Sequence, residues 1–204
     1  MKNKYVVIVL LFVSFAVSAT VKAQHYVGIK DAYGIMGIAT SPDLGADALT
    51  TVFNPGIVYR YEHKKYFAIQ TELNYLAKGY KLDDITHRIY SYELPLLAQG
   101  FVRLGWFRPY VTGGAFVGYI YKRKLEMDGK NYKYKTDNYD NRFEYGIVGG
   151  AGMAFAISRF ELQLEWRYQH AFSFLRDPHI EGTTQYINST QMMISLTLFY
   201  CFGK

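Results

Sequence analysis

Apolar and polar side chains alternate along several segments of the chain, most clearly between residues 160 and 169. Successive side chains of a β-strand point to opposite faces, so a period of two predicts a strand with one apolar and one polar face. This segment sets five apolar residues against five polar ones: Phe160, Leu162, Leu164, Trp166 and Tyr168 against Glu161, Gln163, Glu165, Arg167 and Gln169. The same period recurs in four further segments: 67–78, 90–99, 143–157 and 192–202.

Weaker alternation at about 26–38, 53–62 and 107–121 completes a set of eight predicted strands. Both faces of 107–121 are apolar, so the pattern does not decide which face of that strand points inward. Aromatic and β-branched residues favour strands, and the chain has 20 tyrosines and 14 phenylalanines.

The links between the predicted strands are alternately long and short. The short links are 63–65, 104–106 and 158–159, and the long polar links are 39–52, 81–87, 122–141 and 173–189. Antiparallel strands joined in this way place every long link at one end of the sheet. Outer-membrane barrels have short periplasmic turns and long external loops. Because the number of strands is even, both termini lie at the end with the short turns. The pattern therefore predicts that both termini are periplasmic.

Aromatic residues recur near both ends of the apolar faces, as in the pairs Phe160 and Tyr168, Tyr145 and Phe155, and Phe107 and Tyr119. Their separations of 8, 10 and 12 residues project to roughly 20–30 Å for tilted strands. The outward apolar band of a membrane barrel is about 25 Å tall, with aromatic girdles at its edges.

An open sheet edge is excluded in hydrocarbon, because each unpaired backbone group costs several kcal/mol there. The sequence therefore predicts an all-β fold, an eight-stranded antiparallel up-and-down transmembrane β-barrel. A soluble barrel with its apolar faces turned inward, as in lipocalins, remains the alternative.

The first residues carry the features of a secretory signal peptide. Lys2 and Lys4 precede an apolar run of about 15 residues, which is short for a membrane-spanning helix. Val21-Lys22-Ala23 resembles a cleavage site. We therefore expect a signal peptide at residues 1–23 and a barrel domain at residues 24–204, with an uncleaved anchor helix as the alternative.

The net charge and the cysteine content argue against a nucleic-acid-binding protein and against a disulfide-bonded fold. The net charge of +6 falls to +3 without the three lysines of the predicted signal peptide. That excess is too small to indicate a nucleic-acid partner. Cys201 is the single cysteine, so no disulfide can form within the chain.

The polar faces of the predicted strands carry many charges. An eight-stranded barrel is only wide enough for side chains to fill it, and buried charges must be paired. We therefore predict an interior salt-bridge network with Glu93, Glu161, Glu165 and Arg167 at its centre. An ion path or paired carboxylates for acid–base chemistry is the functional alternative. The predicted interior charges are Arg60, Glu62, Glu72, Lys78, Glu93, Arg103, Glu144, Glu161, Glu165 and Arg167.

Three weaker constellations carry candidate chemistry. His170 and Ser173 are candidates for lipid-modifying catalysis, but their spacing places them on opposite faces of a regular strand. Asp177, His179 and Glu181 are candidate metal ligands in the following loop. The glycine-rich run 146–152 superficially resembles a dinucleotide loop, yet it lies within a predicted strand, where glycine commonly marks a bend or close approach.

The predicted loop 122–141 is basic and rich in tyrosine, with a net charge of +2. Contact with acidic lipopolysaccharide or a partner surface is one interpretation, and a solvated loop is the other. Exposed loops on rigid scaffolds commonly carry function.

Four segments in order resemble the PorT-type outer-membrane β-barrel domain family, common in Bacteroidota: Ser91–Leu97, Arg108–Gly114, Tyr145–Gly152 and Leu162–Tyr168. The resemblance implies an eight-stranded barrel but no single activity, and the family's namesake is associated with a protein secretion machinery. The C-terminus also resembles the signal read by the barrel-assembly machinery, with Ser195, Tyr200 and Phe202 in place. Thr197 stands where glycine is usual, and two residues follow the last aromatic.

We therefore expect a non-enzymatic protein of the outer membrane with a structural, surface-interaction or secretion-accessory role, acting without a cofactor or metal. The expected partners are outer-membrane lipid and lipopolysaccharide, the barrel-assembly machinery, and a secretion-system or surface protein, with no nucleic acid. A lipid A deacylase-like enzyme and a narrow pore are the alternatives.

Overall fold

The computed structural model describes residues 24–41, 47–51, 53–64, 66–82, 85–127, 130–133, 142–174 and 186–202. The regular structure in these ranges is all β. Among these residues, no helix is long and apolar enough to cross a membrane. The strands are β1 Gln24–Ser41, β2 Asp47–Thr51, β3 Gly56–Lys64, β4 Phe67–Leu82, β5 Ile85–Phe101, β6 Phe107–Met127, β7 Lys130–Lys133, β8 Phe143–Ile157, β9 Phe160–Phe174 and β10 Tyr186–Phe202.

The strands close into a barrel because β10 pairs with β1 along its whole length, from His25 opposite Phe202 to Ser41 opposite Tyr186. Around the barrel the order is β1, β3, β4, β5, β6, β8, β9 and β10, and every neighbouring pair is antiparallel. β2 continues the line of β3 between β1 and β4, and β7 folds back on β6. The prediction of an eight-stranded antiparallel barrel is confirmed.

The second barrel strand is interrupted between β2 and β3. Gly34 pairs with Thr51, and Lys30 pairs with Gly56. Three residues of β1 therefore face four residues of the second strand, which is a β-bulge.

Asn54 bridges this interruption. Its Nδ2 donates to the carbonyl oxygen of Ala32 at 2.8 Å, and its Oδ1 accepts from the backbone N–H of Ala77 at 3.0 Å. The Asn54 backbone N–H donates to Oδ1 of Asp31 at 2.9 Å. The side chain therefore satisfies backbone groups of β1 and β4 that a continuous strand would otherwise pair.

The apolar faces point outward and the charged faces point inward. Ile29 and Leu96 are 67% and 60% exposed on the outer wall, whereas Arg60 and Arg167 are 1% exposed in the lumen. A soluble barrel of the lipocalin kind has the opposite arrangement, so that alternative is wrong. The structure also shows which face of the predicted strand 107–121 points inward, because Arg108 of β6 is buried in the lumen.

The strands extend further than the hydrophobic pattern predicted. The segment 81–87, expected to be a loop, is mostly paired strand, with Lys81 opposite Thr86 and Leu82 opposite Ile85. Residues 122–127 belong to β6, and β7 continues the pairing as a hairpin. These residues lack strand alternation because no apolar layer flanks them, but the ladder of backbone hydrogen bonds continues without it.

Close approach between strands explains two of the glycines. A Cβ on Gly114 would overlap the carbonyl oxygen of Leu96, and a Cβ on Gly146 would overlap that of His170. Gly146 begins the run that superficially resembles a dinucleotide loop, and the run lies inside β8. No strand–turn–helix context exists there, so the motif does not apply.

Candidate functional site

The charges of the lumen form three layers along the barrel axis. The turn-end layer lies nearest the short turns and contains Arg60, Glu62, Arg103, Arg108 and Glu161. Arg60 contacts Glu161 at 2.7 Å and Glu62 at 3.1 Å, and Arg108 contacts the same two carboxylates at 2.8 and 3.1 Å. Arg103 also pairs with Glu62. Three arginines therefore share two carboxylates.

Aromatic rings support the excess positive charge of the turn-end layer. The guanidinium of Arg60 lies 4.1 Å from the ring centroid of Tyr26 and 4.6 Å from that of Phe199. The ring faces attract the cation, and the attraction is stronger where water is excluded. β1 and β10 position these two rings on the inner wall.

The middle layer centres on Glu72, whose side chain has no exposed surface. Arg167 donates to both of its carboxylate oxygens, and Lys30 Nζ lies 2.8 Å from Oε2. Arg167 also donates from Nε to Glu165 at 2.5 Å, and the Tyr110 hydroxyl donates to Glu165 at 3.1 Å. These bonds join β1, β4, β6 and β9.

The loop-end layer places one lysine between two glutamates. Lys78 Nζ lies 2.8 Å from Glu93 and 2.6 Å from Glu144. Gln169 donates to the second oxygen of Glu93 at 2.6 Å. Each of these side chains is buried.

The charges that pair within these three layers balance, six cations against six anions. The cations are Lys30, Arg60, Lys78, Arg103, Arg108 and Arg167, and the anions are Glu62, Glu72, Glu93, Glu144, Glu161 and Glu165. All ten charges that the sequence pattern placed in the interior take part in these ion pairs. The charge runs from +1 in the turn-end layer through zero to −1 in the loop-end layer.

The sequence pattern missed two members, Lys30 and Arg108. Lys30 lies in a strand whose alternation is weak, and Arg108 lies in the strand whose inward face was undecided. The register supplies the missing signal, because Arg108 pairs with Ala154, whose side chain is buried on the inner face.

In the turn-end layer this arrangement leaves little empty space. The gap of about 150 Å³ in the turn-end layer, lined by Arg60, Arg108 and Glu161 among others, has no space for a water molecule. Each carboxylate of the network faces at least one cation or hydrogen-bond donor within 3.1 Å. Pairing holds these charges in place.

The candidate catalytic pair is separated by the barrel wall. Nδ1 of His170 lies 3.1 Å from the hydroxyl of Thr190, with which it is paired in register across the ladder between β9 and β10. Ser173 is buried, and its hydroxyl accepts from the backbone N–H of Tyr145 at 3.3 Å. The alternating burial of β9 places the two residues on opposite faces.

The candidate metal ligands Asp177, His179 and Glu181 lie outside the described residues. Within the described ranges, no group of three or more histidine, cysteine, aspartate or glutamate side chains is placed to hold a metal ion.

Aromatic side chains ring the outer wall at two levels. At the turn end, Trp106 and Phe107 each lie 5.6 Å from Phe155, measured between ring centroids. At the loop end, Tyr119 lies 5.3 Å from Phe143. Amphipathic rings at both edges of an apolar band are typical of a barrel in a bilayer.

Comparison with known proteins gives one family and several solved barrels. Residues 7–202 match the model of a family described as outer membrane protein beta-barrel domain. No curated protein matches the chain in sequence.

Several similar solved structures have TM-scores above 0.5. The crystal structure of Ail, the attachment invasion locus protein of Yersinia pestis, has a TM-score of 0.54 and 17% identity, covering 89% of this chain and 100% of Ail. Neisserial surface protein A has a TM-score of 0.51 and 14% identity, covering 85% of this chain and 95% of that protein. The outer membrane protein AlkL, solved in DMPC bilayers, has a TM-score of 0.52 and 11% identity, covering 88% and 90%. At these identities the likeness shows the fold.

Proposed function

This chain belongs to the outer membrane protein β-barrel domain family, and on that premise we propose that it is a non-enzymatic outer-membrane scaffold acting through its external loops. The observation that carries the proposal is a lumen crossed by three layers of paired charges, with no space for water in the gap of the turn-end layer. Such a lumen leaves the loop end and the turns as the surfaces that can meet a partner.

The proposed orientation places the long links outside the cell and both termini in the periplasm. Its support is the contrast between tight turns, such as Ser158-Arg159, and strands that extend beyond the apolar band at the other end. We propose with it that residues 1–23 are a signal peptide and that residues 24–204 form the exported barrel.

The proposed role is structural, adhesive or accessory to a secretion complex, in the manner of a PorT-type protein. The resemblance of the four strand motifs supports the secretion-accessory role. The fold shared with Ail, a protein named for attachment and invasion, supports the adhesive one. The proposed partners are outer-membrane lipid and lipopolysaccharide, the barrel-assembly machinery during insertion, and a secretion or surface protein.

Cysteine labelling tests the orientation. Cys201 is buried, and replacing it with serine leaves a background without thiols. Thr136→Cys then reports whether the loop end is accessible, and Arg159→Cys reports whether the turn end is accessible. A membrane-impermeant maleimide should label Thr136→Cys on intact cells and Arg159→Cys only after the outer membrane is opened. The reverse pattern would overturn the orientation.

A pair of variants tests the role. In cells lacking the natural chain, we would compare adhesion and the secretion of surface proteins after replacing residues 134–141 with glycine and serine. Lys78→Met with Glu93→Gln and Glu144→Gln is the control, because it removes the charges of the loop-end layer without leaving one of them unpaired, and it leaves the loops unchanged. The loop variant should lose the function that the control retains. A functional loop variant beside an inactive lumen variant would refute the proposal.

A further inference from the structure

One sector of the outer wall carries cations just beyond its aromatic girdle. The sector is formed by the loop ends of β5 and β6. Arg88 is paired in register with Lys124, and Tyr90 is paired with Lys122. Residues directly opposite in an antiparallel pair point to the same face. Arg88, Lys122 and Lys124 therefore form a basic rim on the same face as the Tyr90 ring.

A bulge in β6 concentrates this rim. Ser91 pairs with Ile120 and Tyr90 pairs with Lys122, so Tyr121 is the additional residue. Tyr121 is 43% exposed on the outer wall, and its neighbour Lys122 is exposed as well. The bulge therefore lets two consecutive side chains, one aromatic and one cationic, face outward.

Four tyrosines form a platform directly below the basic rim. The rings of Tyr92 and Tyr121 stack with centroids 5.1 Å apart, and Tyr75 lies 6.0 Å from Tyr92. Tyr90 lies 6.4 Å from both Tyr75 and Tyr121. The hydroxyl of Tyr121 donates to that of Tyr75 at 3.4 Å.

The rim has features of a site that receives an anion. Arg88 and Lys124 bring two positive charges to directly opposite positions of the ladder. Nζ of Lys124 lies 5.9 Å from the ring centroid of Tyr90, which keeps the lysine close to the platform.

We propose that the basic rim and the tyrosine platform bind a phosphorylated glycolipid of the outer leaflet. The cations bind its phosphate groups, since charged hydrogen bonds to phosphate are among the stronger polar contacts. The tyrosine rings lie one level deeper, where an amphipathic ring contacts sugar and the upper acyl chain. This inference rests on the proposed function for its orientation, which places the loop end in the outer leaflet.

Titration with purified lipid A tests the proposal. The barrel, purified from outer membranes in detergent, would be titrated with bis-phosphorylated lipid A and with its dephosphorylated form, and binding followed by native mass spectrometry. Wild type should prefer the phosphorylated form. Lys122→Gln with Lys124→Gln should weaken that binding, by about fivefold per lysine.

Lys64→Gln with Lys65→Gln is the matched control, since it removes two lysines where the chain passes from β3 to β4. The control should bind like wild type, and circular dichroism would verify that both variants are folded. Equal binding by the rim variant and the control would overturn the proposal. An acidic protein would then be the better candidate for a partner of the rim. Equal binding of phosphatidylglycerol would also overturn it, because any anionic lipid would then suffice.

The binding measurement does not depend on how the barrel is oriented in cells. Lipid A binding with the reverse labelling pattern would therefore retain the site and reject the orientation. Correct labelling without phosphate-dependent binding would retain the proposed function and reject the site.

Discussion

Arg167 binds Glu72 through two hydrogen bonds across the centre of the barrel, with Nη1 to Oε2 at 2.8 Å and Nη2 to Oε1 at 2.7 Å. The two residues lie on β9 and β4, which are opposite walls of the eight-stranded ring. No backbone ladder joins these walls, so the pair links them through the lumen. Both side chains are buried, and the pair needs the additional contacts of Lys30 and Glu165 to satisfy its charges.

Breaking this pair should destabilise the barrel. Glu72→Gln or Arg167→Met alone leaves a buried charge short of a partner, which should lower the free energy of unfolding by about 3–5 kcal/mol. The double variant leaves Lys30 with Glu165, so the two losses should overlap with a coupling energy of about 1–3 kcal/mol. Urea unfolding in phospholipid vesicles measures each value. Strict additivity of the two changes would show that the pair does not couple.

Two adjacent glycines should respond differently to alanine. A Cβ on Gly114 meets the carbonyl oxygen of Leu96, which cannot move without breaking the ladder between β5 and β6. A Cβ on Gly113 comes no closer than 3.9 Å to its nearest neighbour. Gly114→Ala should lower the free energy of unfolding by at least about 2 kcal/mol, and Gly113→Ala by less than about 0.5 kcal/mol. Equal losses in the same unfolding assay would contradict the close approach.

Asn54 should hold the bulge of the second strand in place. Asn54→Ala removes the donor to the Ala32 carbonyl and the acceptor for the Ala77 N–H, which should cost about 2–4 kcal/mol. Hydrogen exchange at the Ala77 amide is the direct readout and should become faster. Asn74→Ala serves as the control, because Asn74 bonds to Glu72 instead and should leave that amide protected. Unchanged protection of Ala77 in Asn54→Ala would refute the bridge.

His170 and Ser173 should not act as a catalytic pair. Their side chains lie on opposite faces of β9, so neither can activate the other. Expression of wild type, His170→Ala or Ser173→Ala should leave the mass spectrum of outer-membrane lipid A unchanged. Loss of an acyl chain with wild type, abolished by either substitution, would establish an enzyme instead.

The lumen should not conduct ions. Three layers of paired side chains cross it, the gap in the turn-end layer has no space for water, and an eight-stranded barrel has little further width. Purified protein in planar bilayers should therefore show no stepwise conductance. Stable steps that change in size with Lys78→Ala would show that the loop-end layer lines a pore.

The alternation in 160–169 was sufficient to place Glu161, Glu165 and Arg167 on one face, because the face on which a strand residue lies depends only on parity. The same argument failed for Arg108, since both faces of its strand are apolar. It also failed at 81–87, because backbone pairing continues where hydrophobic alternation has ended. The bulge bridged by Asn54 has no local signal, because its partners belong to β1 and β4.

The sequence by itself determined which residues share a strand face and predicted a closed antiparallel β-barrel, since the first follows from local alternation and the second from the need to satisfy every backbone group in hydrocarbon. The structure shows that the charged face is the inner one. The tertiary structure alone decided which charges meet, how far the strands extend, and which cations gather beside the tyrosines. Those contacts join residues as distant as Glu72 and Arg167, 95 positions apart. They depend on the register with which all the strands close, and no single segment encodes that register.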